Sequence, residues 1–141
     1  MPTQLSIFWP MCAQVLLTAI VWAWMYVDRI GEMRSKRIAP QSLPTAREAA
    51  QILERTAAAD NFRNLFEVPV LFYVLCLALA VAGLVTPFQL GLAWLFVALR
   101  ALHTFIHITY NRVSHRFTAH LVSTLCVLFM WGVFAIDLSR R

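Results

Sequence analysis

Charged residues are scarce in this sequence. They make up 13% of the 141 positions, whereas soluble domains carry about a quarter. Acidic residues are the scarcest, with 7 Asp and Glu against 12 Lys and Arg, and the net charge is +5. Hydrophobic residues make up 60% of the chain. This composition excludes an ordinary soluble domain and predicts an integral membrane protein.

Motifs for several common chemistries are also missing. The chain has no P-loop, GxGxxG, HExxH or catalytic-serine motif, and no recognisable N-terminal targeting peptide. Its three cysteines lie in different apolar segments without CxxC or zinc spacing, so we expect buried hydrophobes. The basic residues cluster in one loop beside apolar segments. That placement favours a topology signal or an anionic-lipid contact, and we expect no nucleic-acid partner.

Four apolar segments are long enough to cross a bilayer, which takes about 20 helical residues. Backbone groups in lipid must be satisfied within their own segment, and period-2 alternation is absent, so these segments are predicted to be helices. The predicted spans are residues 5–27, 65–85, 90–110 and 117–136. We therefore predict an all-α integral membrane protein, with one four-transmembrane-helix bundle over residues 1–141.

The connections between the spans differ in length. Residues 86–89 and 111–116 are short, whereas the first connection covers residues 28–64. Within it, Thr45-Ala46-Arg47-Glu48 is typical of a capping box at a helix start. The Ala-rich run from Thr45 to about Ala59 then predicts one helix leading towards the second span.

Lys and Arg residues predict the orientation. The first loop carries seven of them and the third loop two, while the opposite side has only Arg140 and Arg141. Under the positive-inside rule, loops one and three are cytoplasmic and both termini lie outside.

Polar side chains inside the spans are the main functional signal, because a charged group at the bilayer centre costs about 3 kcal/mol or more. Arg100, His103 and His107 are spaced i, i+3 and i+7, so they share one helix face. Asn64 and Glu67 lie near the start of the second span. We predict a Glu67–Arg100 ion pair. Such a pair either specifies helix packing alone or lines a pocket for a charged ligand.

In the pocket interpretation, three arginines are candidates for holding an anion. Arg100, Arg112 and Arg116 would bind carboxylates or stabilise a developing negative charge. Asn64 would supply amide donors and an acceptor.

His103 and His107 form an HxxxH pair, which raises the question of a metal. A third ligand would have to be Glu67 from another helix. Hydrogen bonds between helices are the favoured alternative, so we predict no metal. His115 and His120 are expected near the membrane interface and are assigned no role.

The pattern Asn64-x-x-Glu67-x-Pro69 opens the second of four spans, and Arg100-x-x-His103 lies in the third. This arrangement resembles the MAPEG family, the membrane-associated proteins in eicosanoid and glutathione metabolism, and its bacterial branch in particular. The resemblance extends to length, layout and the long basic first loop. It implies a homotrimer in the bacterial inner membrane, with glutathione bound between neighbouring protomers in a cleft open to the cytoplasm.

The resemblance also implies an activity. This is a membrane-bound glutathione (or other thiol) transferase or peroxidase that acts on lipophilic electrophiles. The alternative is a non-catalytic lipid-binding or scaffold protein of the same fold. In the catalytic case, Asn64 and Glu67 bind the thiol cosubstrate, and Arg112 or Arg116 stabilises the thiolate.

The resemblance also extends to further positions of the ligand site, some of which carry a different residue type in this sequence. Arg100 corresponds to the buried Arg of the third span, while His103 and His107 stand where tyrosines are expected in the ligand site. Asp60 stands where the glutathione-binding members have Arg.

Overall fold

The computed structural model describes residues 3–140, and this part of the chain contains helices and turns but no strand. Short 3₁₀ helices at Gln4–Ile7 and Pro40–Ser42 precede α1 and α2, respectively. The α-helices, in chain order, are α1 (Phe8–Ser35), α2 (Ala46–Ile52), α3 (Ala57–Asn64), α4 (Val68–Ala82), α5 (Pro87–Ile108) and α6 (Val113–Ser139).

Four stretches are long and apolar enough to cross a membrane: α1 with its leading turn, α3 together with α4, α5, and α6. The predicted four-helix membrane fold is therefore confirmed. The outer faces are apolar, as at Trp9 and Val81, whose side chains are 71% and 89% exposed. Of the three cysteines predicted to be buried, Cys76 is buried and Cys126 is half-buried. Cys12 is exposed, so the prediction is wrong there, because it lies on an outer face of α1.

Aromatic stacking and buried amide contacts hold the bundle together. Phe72 of α4 stacks on Phe96 of α5, with ring centroids 4.4 Å apart. α5 packs most extensively against α6. Between these two helices, the Gln89 side-chain amide donates to the Met130 carbonyl at 3.3 Å. The side chains of Phe72, Phe96, Gln89 and Met130 are fully buried.

The second span is broken at its entry. Pro69 has no N–H, so it cannot donate to the carbonyl of Leu65 four residues earlier. Glu67 leaves the helical region, with φ −95° and ψ −97°, and Pro69 then lies in the first turn of α4. At 15 residues, α4 is about 22 Å long. That falls short of the ~30 Å hydrocarbon core, so α3 completes the span and the break lies inside it.

The first loop confirms one prediction and corrects another. The Thr45 hydroxyl accepts from the Glu48 amide at 3.2 Å, and the Glu48 carboxylate accepts from the Thr45 amide at 3.1 Å, as in a capping box. The single helix predicted from Thr45 to Ala59 is wrong. α2 ends at Ile52, Leu53 is extended with ψ 135°, and a second helix follows.

A tertiary contact explains this interruption. The carboxylate of Glu32, near the end of α1, accepts from the backbone amides of Glu54 at 2.8 Å and Arg55 at 2.9 Å. Those amides would otherwise continue α2. Lys36 lies 2.7 Å from Glu32 and 2.9 Å from Glu54, and its hydrogen bonds to both carboxylates raise the pKa of Lys36. Leu53 is buried beside this anchor. These contacts override the local helix propensity of the Ala-rich run.

Gly83 ends α4 in the left-handed conformation, at φ 65° and ψ 31°. The Leu84 amide donates to the Leu79 carbonyl at 2.9 Å, as in a Schellman motif. For Gly83→Ala we expect the free energy of unfolding to fall by about 1–2 kcal/mol, because a Cβ disfavours this conformation. Titration with a denaturing detergent measures the change. Gly91→Ala is the control, since a Cβ there meets nothing within 4 Å. Equal stability of the two variants would contradict the assignment of strain to Gly83.

Candidate functional site

The functional candidates on α5 form a buried polar face. Arg100, His103, Thr104 and His107 are between 0% and 4% exposed. Their spacing of i, i+3, i+4 and i+7 aligns them along one side of the helix. This side packs against α3 and α6, since Arg100 contacts residues of both helices. A polar cluster thus occupies one end of the bundle, apart from the apolar core around Phe72 and Phe96.

Arg100 binds the end of the broken helix. Its Nη2 donates to the Asn64 carbonyl at 3.0 Å, and its Nη1 lies 3.4 Å from His120 Nδ1. The predicted Glu67–Arg100 ion pair is wrong, because no nitrogen–oxygen contact within 4 Å joins them in residues 3–140. The break leaves carbonyls at the C-terminus of α3 without helical partners, and that end carries partial negative charge. Arg100 therefore donates to the Asn64 carbonyl at this helix end. The Glu67 side chain is exposed.

Three histidines form a cluster in which His120 contacts the Arg100 guanidinium. The ring of His103 lies 5.6 Å from that of His107 and 5.6 Å from that of His120. The Nδ1 atoms of His103 and His107 have no hydrogen-bond partner, so the interhelical bonds predicted for this pair do not form at these atoms. Within residues 3–140, no group of three or more His, Cys, Asp or Glu side chains is arranged to hold a metal ion.

A cavity of about 240 Å³, which we call the polar cavity, opens beside this cluster. It is lined by Asn64, Glu67, His103, Val113, Arg116, Phe117 and His120. Four of the predicted site residues, each from a different helix or helix end, therefore meet around one space. The other three do not line it. Arg100 and His107 lie buried behind it, and Arg112 is exposed at the N-cap of α6.

The turn between α5 and α6 positions Arg116 but not Arg112. Asn111 has a positive φ of 46°, a conformation that Asn adopts more readily than most residues. Its side-chain oxygen accepts from Arg116 Nη1 at 2.7 Å. This bond holds a half-buried guanidinium at the wall of the polar cavity. Arg112 makes no side-chain cap to α6.

Residues 7–136 match the MAPEG family. This chain belongs to the MAPEG family. It is therefore an integral multi-pass membrane protein of the kind found in glutathione and eicosanoid metabolism, and the resemblance is confirmed over nearly the whole chain. No curated protein and no solved structure matched it.

Three polar residues of this MAPEG protein were missed by sequence reasoning. His120 lines the polar cavity and faces Arg100, although no role was assigned to it. Its spacing of four residues from Arg116 placed both on one face of α6 and could have revealed it. Asn61 is fully buried, and its side-chain oxygen accepts from the Thr104 hydroxyl at 3.5 Å. The Nδ2 of Asn61 has no partner.

Asp60, the position where the chain departs from the glutathione-binding pattern, lies on α3 one turn before Asn64. Its carboxylate is exposed and 3.8 Å from Arg63. It does not line the polar cavity of its own chain. The reversed charge therefore lies one turn of α3 before Asn64, outside the lining of the polar cavity.

Proposed function

We propose that this MAPEG protein is a membrane-bound glutathione (or other thiol) transferase or peroxidase acting on lipophilic electrophiles. The observation that carries the proposal is a carboxylate and a guanidinium facing one cavity, from Glu67 and Arg116. Glutathione carries an ammonium group, two carboxylates and a thiol. A site with one group of each sign complements such a zwitterionic peptide.

Each residue has a distinct part in this proposal. Glu67 binds the ammonium group, and the Asn64 amide binds the peptide. Arg116 holds the thiolate, with Arg112 as the alternative. His103, in the cavity wall, donates a hydrogen bond to the bound peptide or accepts one from it.

Arg100 and His107 do not line the cavity, and they act through residues that do. Arg100 is a positioning residue, because it binds the Asn64 carbonyl at 3.0 Å and fixes the broken helix end. The ring of His107 packs edge-on against that of His103.

The chemical role of the arginine follows from the acidity of thiols. A thiol of pKa about 8.5 is only about 3% ionised at pH 7. An adjacent guanidinium favours the thiolate, which is the nucleophile. In a transferase step, a C–S bond forms while the leaving group departs with its electron pair, or an opened ring oxygen takes a proton from water.

The peroxidase reaction would use the same thiolate. Sulfur attacks the hydroperoxide, an S–O bond forms, the O–O bond breaks and the alcohol leaves after protonation. A second thiol then converts the sulfenic acid to a disulfide and water.

The cavity volume supports a site shared between protomers. At about 240 Å³, the polar cavity of one chain is smaller than the ~300–1,000 Å³ of typical small-molecule sites. We propose that a neighbouring copy completes it in a homotrimer. We further propose that this end of the bundle faces the cytoplasm in a bacterial inner membrane. The nine basic residues of loops one and three support the orientation.

Glutathione binding to the purified protein in detergent tests the proposal by calorimetry. We expect saturable binding in the millimolar range or tighter. Glu67→Gln should raise the Kd at least about tenfold, because a charge-assisted hydrogen bond is lost. Asp137→Asn, near the far end of α6, is the matched control and should bind normally. No heat of binding at millimolar glutathione would overturn the proposal.

Thiolate absorbance near neutral pH then separates the two candidate arginines. We expect Arg116→Gln to abolish the absorbance of bound thiolate and Arg112→Gln to retain it, since only Arg116 lines the polar cavity. The opposite result would assign the thiolate to Arg112.

The non-catalytic alternative has its own supporting observation. A groove of about 510 Å³ between α1 and α4 is lined almost wholly by apolar side chains, among them Val15, Trp22, Phe66 and Leu77. Such a groove suits a lipid chain, as a lipid-binding or scaffold protein requires. Co-purified lipid in this groove without thiol binding would favour this function.

A further inference from the structure

A second cavity of about 300 Å³, which we call the basic cavity, lies between α1, α2 and α3. Its lining includes Arg29, Arg55 and Arg63, together with apolar walls from Met25 and Phe62. It shares no lining residue with the polar cavity. It therefore requires an explanation of its own.

The charge of the basic cavity is unbalanced. Asp60 is the only acidic residue among its lining, against three arginines. Asp60 lies 3.8 Å from Arg63, an exposed contact that neutralises little. Neither Arg29 nor Arg55 makes an ion pair in the described part of the chain. Two guanidinium groups thus remain available to an anion.

The basic cavity lies at the depth of the bilayer interface. On α1, Trp24 Nε1 donates to the Asp28 carboxylate at 3.0 Å, and indole rings with a polar partner are typical of the headgroup level. Met25 and Arg29 lie on the same turns of α1 and face the cavity. Met25, one turn before Arg29 on α1, therefore lies towards the hydrocarbon core, and the loop arginine Arg55 lies towards water.

We propose that the basic cavity binds one anionic phospholipid. The phosphate lies on Arg29 and Arg55, because guanidinium groups match phosphate oxygens in geometry and charge. The first acyl carbons pack against Met25 and Phe62. A free phosphate would leave this apolar wall unused, and the basic loop concentrates anionic lipid at the cavity. The site is separate from the proposed thiol site and does not depend on it.

Native mass spectrometry of the detergent-solubilised protein tests this site. The probes are phosphatidylglycerol and phosphatidylcholine with the same acyl chains. We expect one phosphatidylglycerol retained per chain and little phosphatidylcholine. Arg29→Gln/Arg55→Gln should reduce retention at least about tenfold, because charge-assisted hydrogen bonds to the phosphate are lost.

A matched control separates the cavity from general electrostatics. Arg34→Gln/Arg47→Gln removes the same charge from exposed positions that do not line the basic cavity, and it should retain the lipid. Ala50→Trp keeps the charge and fills the cavity with a large ring, so it should also reduce retention.

Four outcomes would overturn the proposal. Equal loss in both double variants would indicate general charge attraction, and unchanged retention in Ala50→Trp would place the lipid elsewhere. Displacement of the lipid by inorganic phosphate alone would indicate a small-anion site. Absence of bound lipid, with an altered oligomer mass in Arg29→Gln/Arg55→Gln, would indicate that a second copy of the chain fills the cavity.

Discussion

Arg100→Ala should lower the free energy of unfolding by about 3 kcal/mol or more, as large-to-small substitutions in a core do. Arg100 is fully buried, so its truncation leaves a large cavity. It also leaves the Asn64 carbonyl, now bound at 3.0 Å, without a partner inside a membrane span, where an orphaned backbone group is costly. Titration with a denaturing detergent measures the change in stability.

Arg100→Met separates volume from hydrogen bonding. Methionine restores most of the filled space and removes a buried charge that has no carboxylate within 4 Å in residues 3–140. Relief of desolvation then offsets the lost hydrogen bond, and we expect a loss of about 1 kcal/mol or less.

Glutathione binding should weaken in both Arg100 variants, since Asn64 is no longer fixed. A loss of stability in Arg100→Met as large as in Arg100→Ala would show that the guanidinium with its hydrogen bonds, and not the filled volume, stabilises the bundle. Loss of the oligomer in Arg100→Ala, with no ligand bound by the unmodified protein, would instead favour a purely structural role for this polar cluster.

The parts of this fold that follow from the sequence are those set by local patterns. The lengths of the apolar segments predicted the number of spanning helices, because each spanning segment must match the thickness of the hydrocarbon core. The spacing of Arg100, His103 and His107 predicted their common face, because the helical repeat determines it. The capping box at Thr45 depends on residues three positions apart and was likewise predictable.

The parts that did not follow depend on partners distant in the chain. The residues around Leu53 do not predict the end of α2. The backbone amides of Glu54 and Arg55 donate to Glu32, which lies more than 20 residues earlier in the chain. The sequence predicts Glu67 as the partner of Arg100, because a long Arg side chain can bend towards an acid at a shallower depth. The actual partner of Arg100 is the carbonyl of Asn64, a backbone group that every residue possesses and that only the break before Pro69 makes available.

Glu32→Ala should release the first loop from the end of α1. The buried carboxylate holds the amides of Glu54 and Arg55 and binds Lys36. Without it, three donors lose their shared acceptor and the segment after α2 can open. We expect tryptic cleavage after Arg47 and Arg55 to accelerate on the order of tenfold, as a local opening of the loop would produce. Retention of phosphatidylglycerol should fall as well, because α2 forms one wall of the basic cavity.

Glu54→Ala is the matched control for this anchor. Glu54 also contacts Lys36, at 2.9 Å, but its side chain is 84% exposed and accepts no backbone amide in residues 3–140. We expect nearly normal cleavage, since exposed ion pairs contribute little. The pKa of Lys36 is raised, so its contribution is complete at neutral pH and is lost only as the pH rises through that elevated value. If Glu54→Ala opens the loop as far as Glu32→Ala does, the lysine bridge, and not the capture of the two amides, holds α2 against α1.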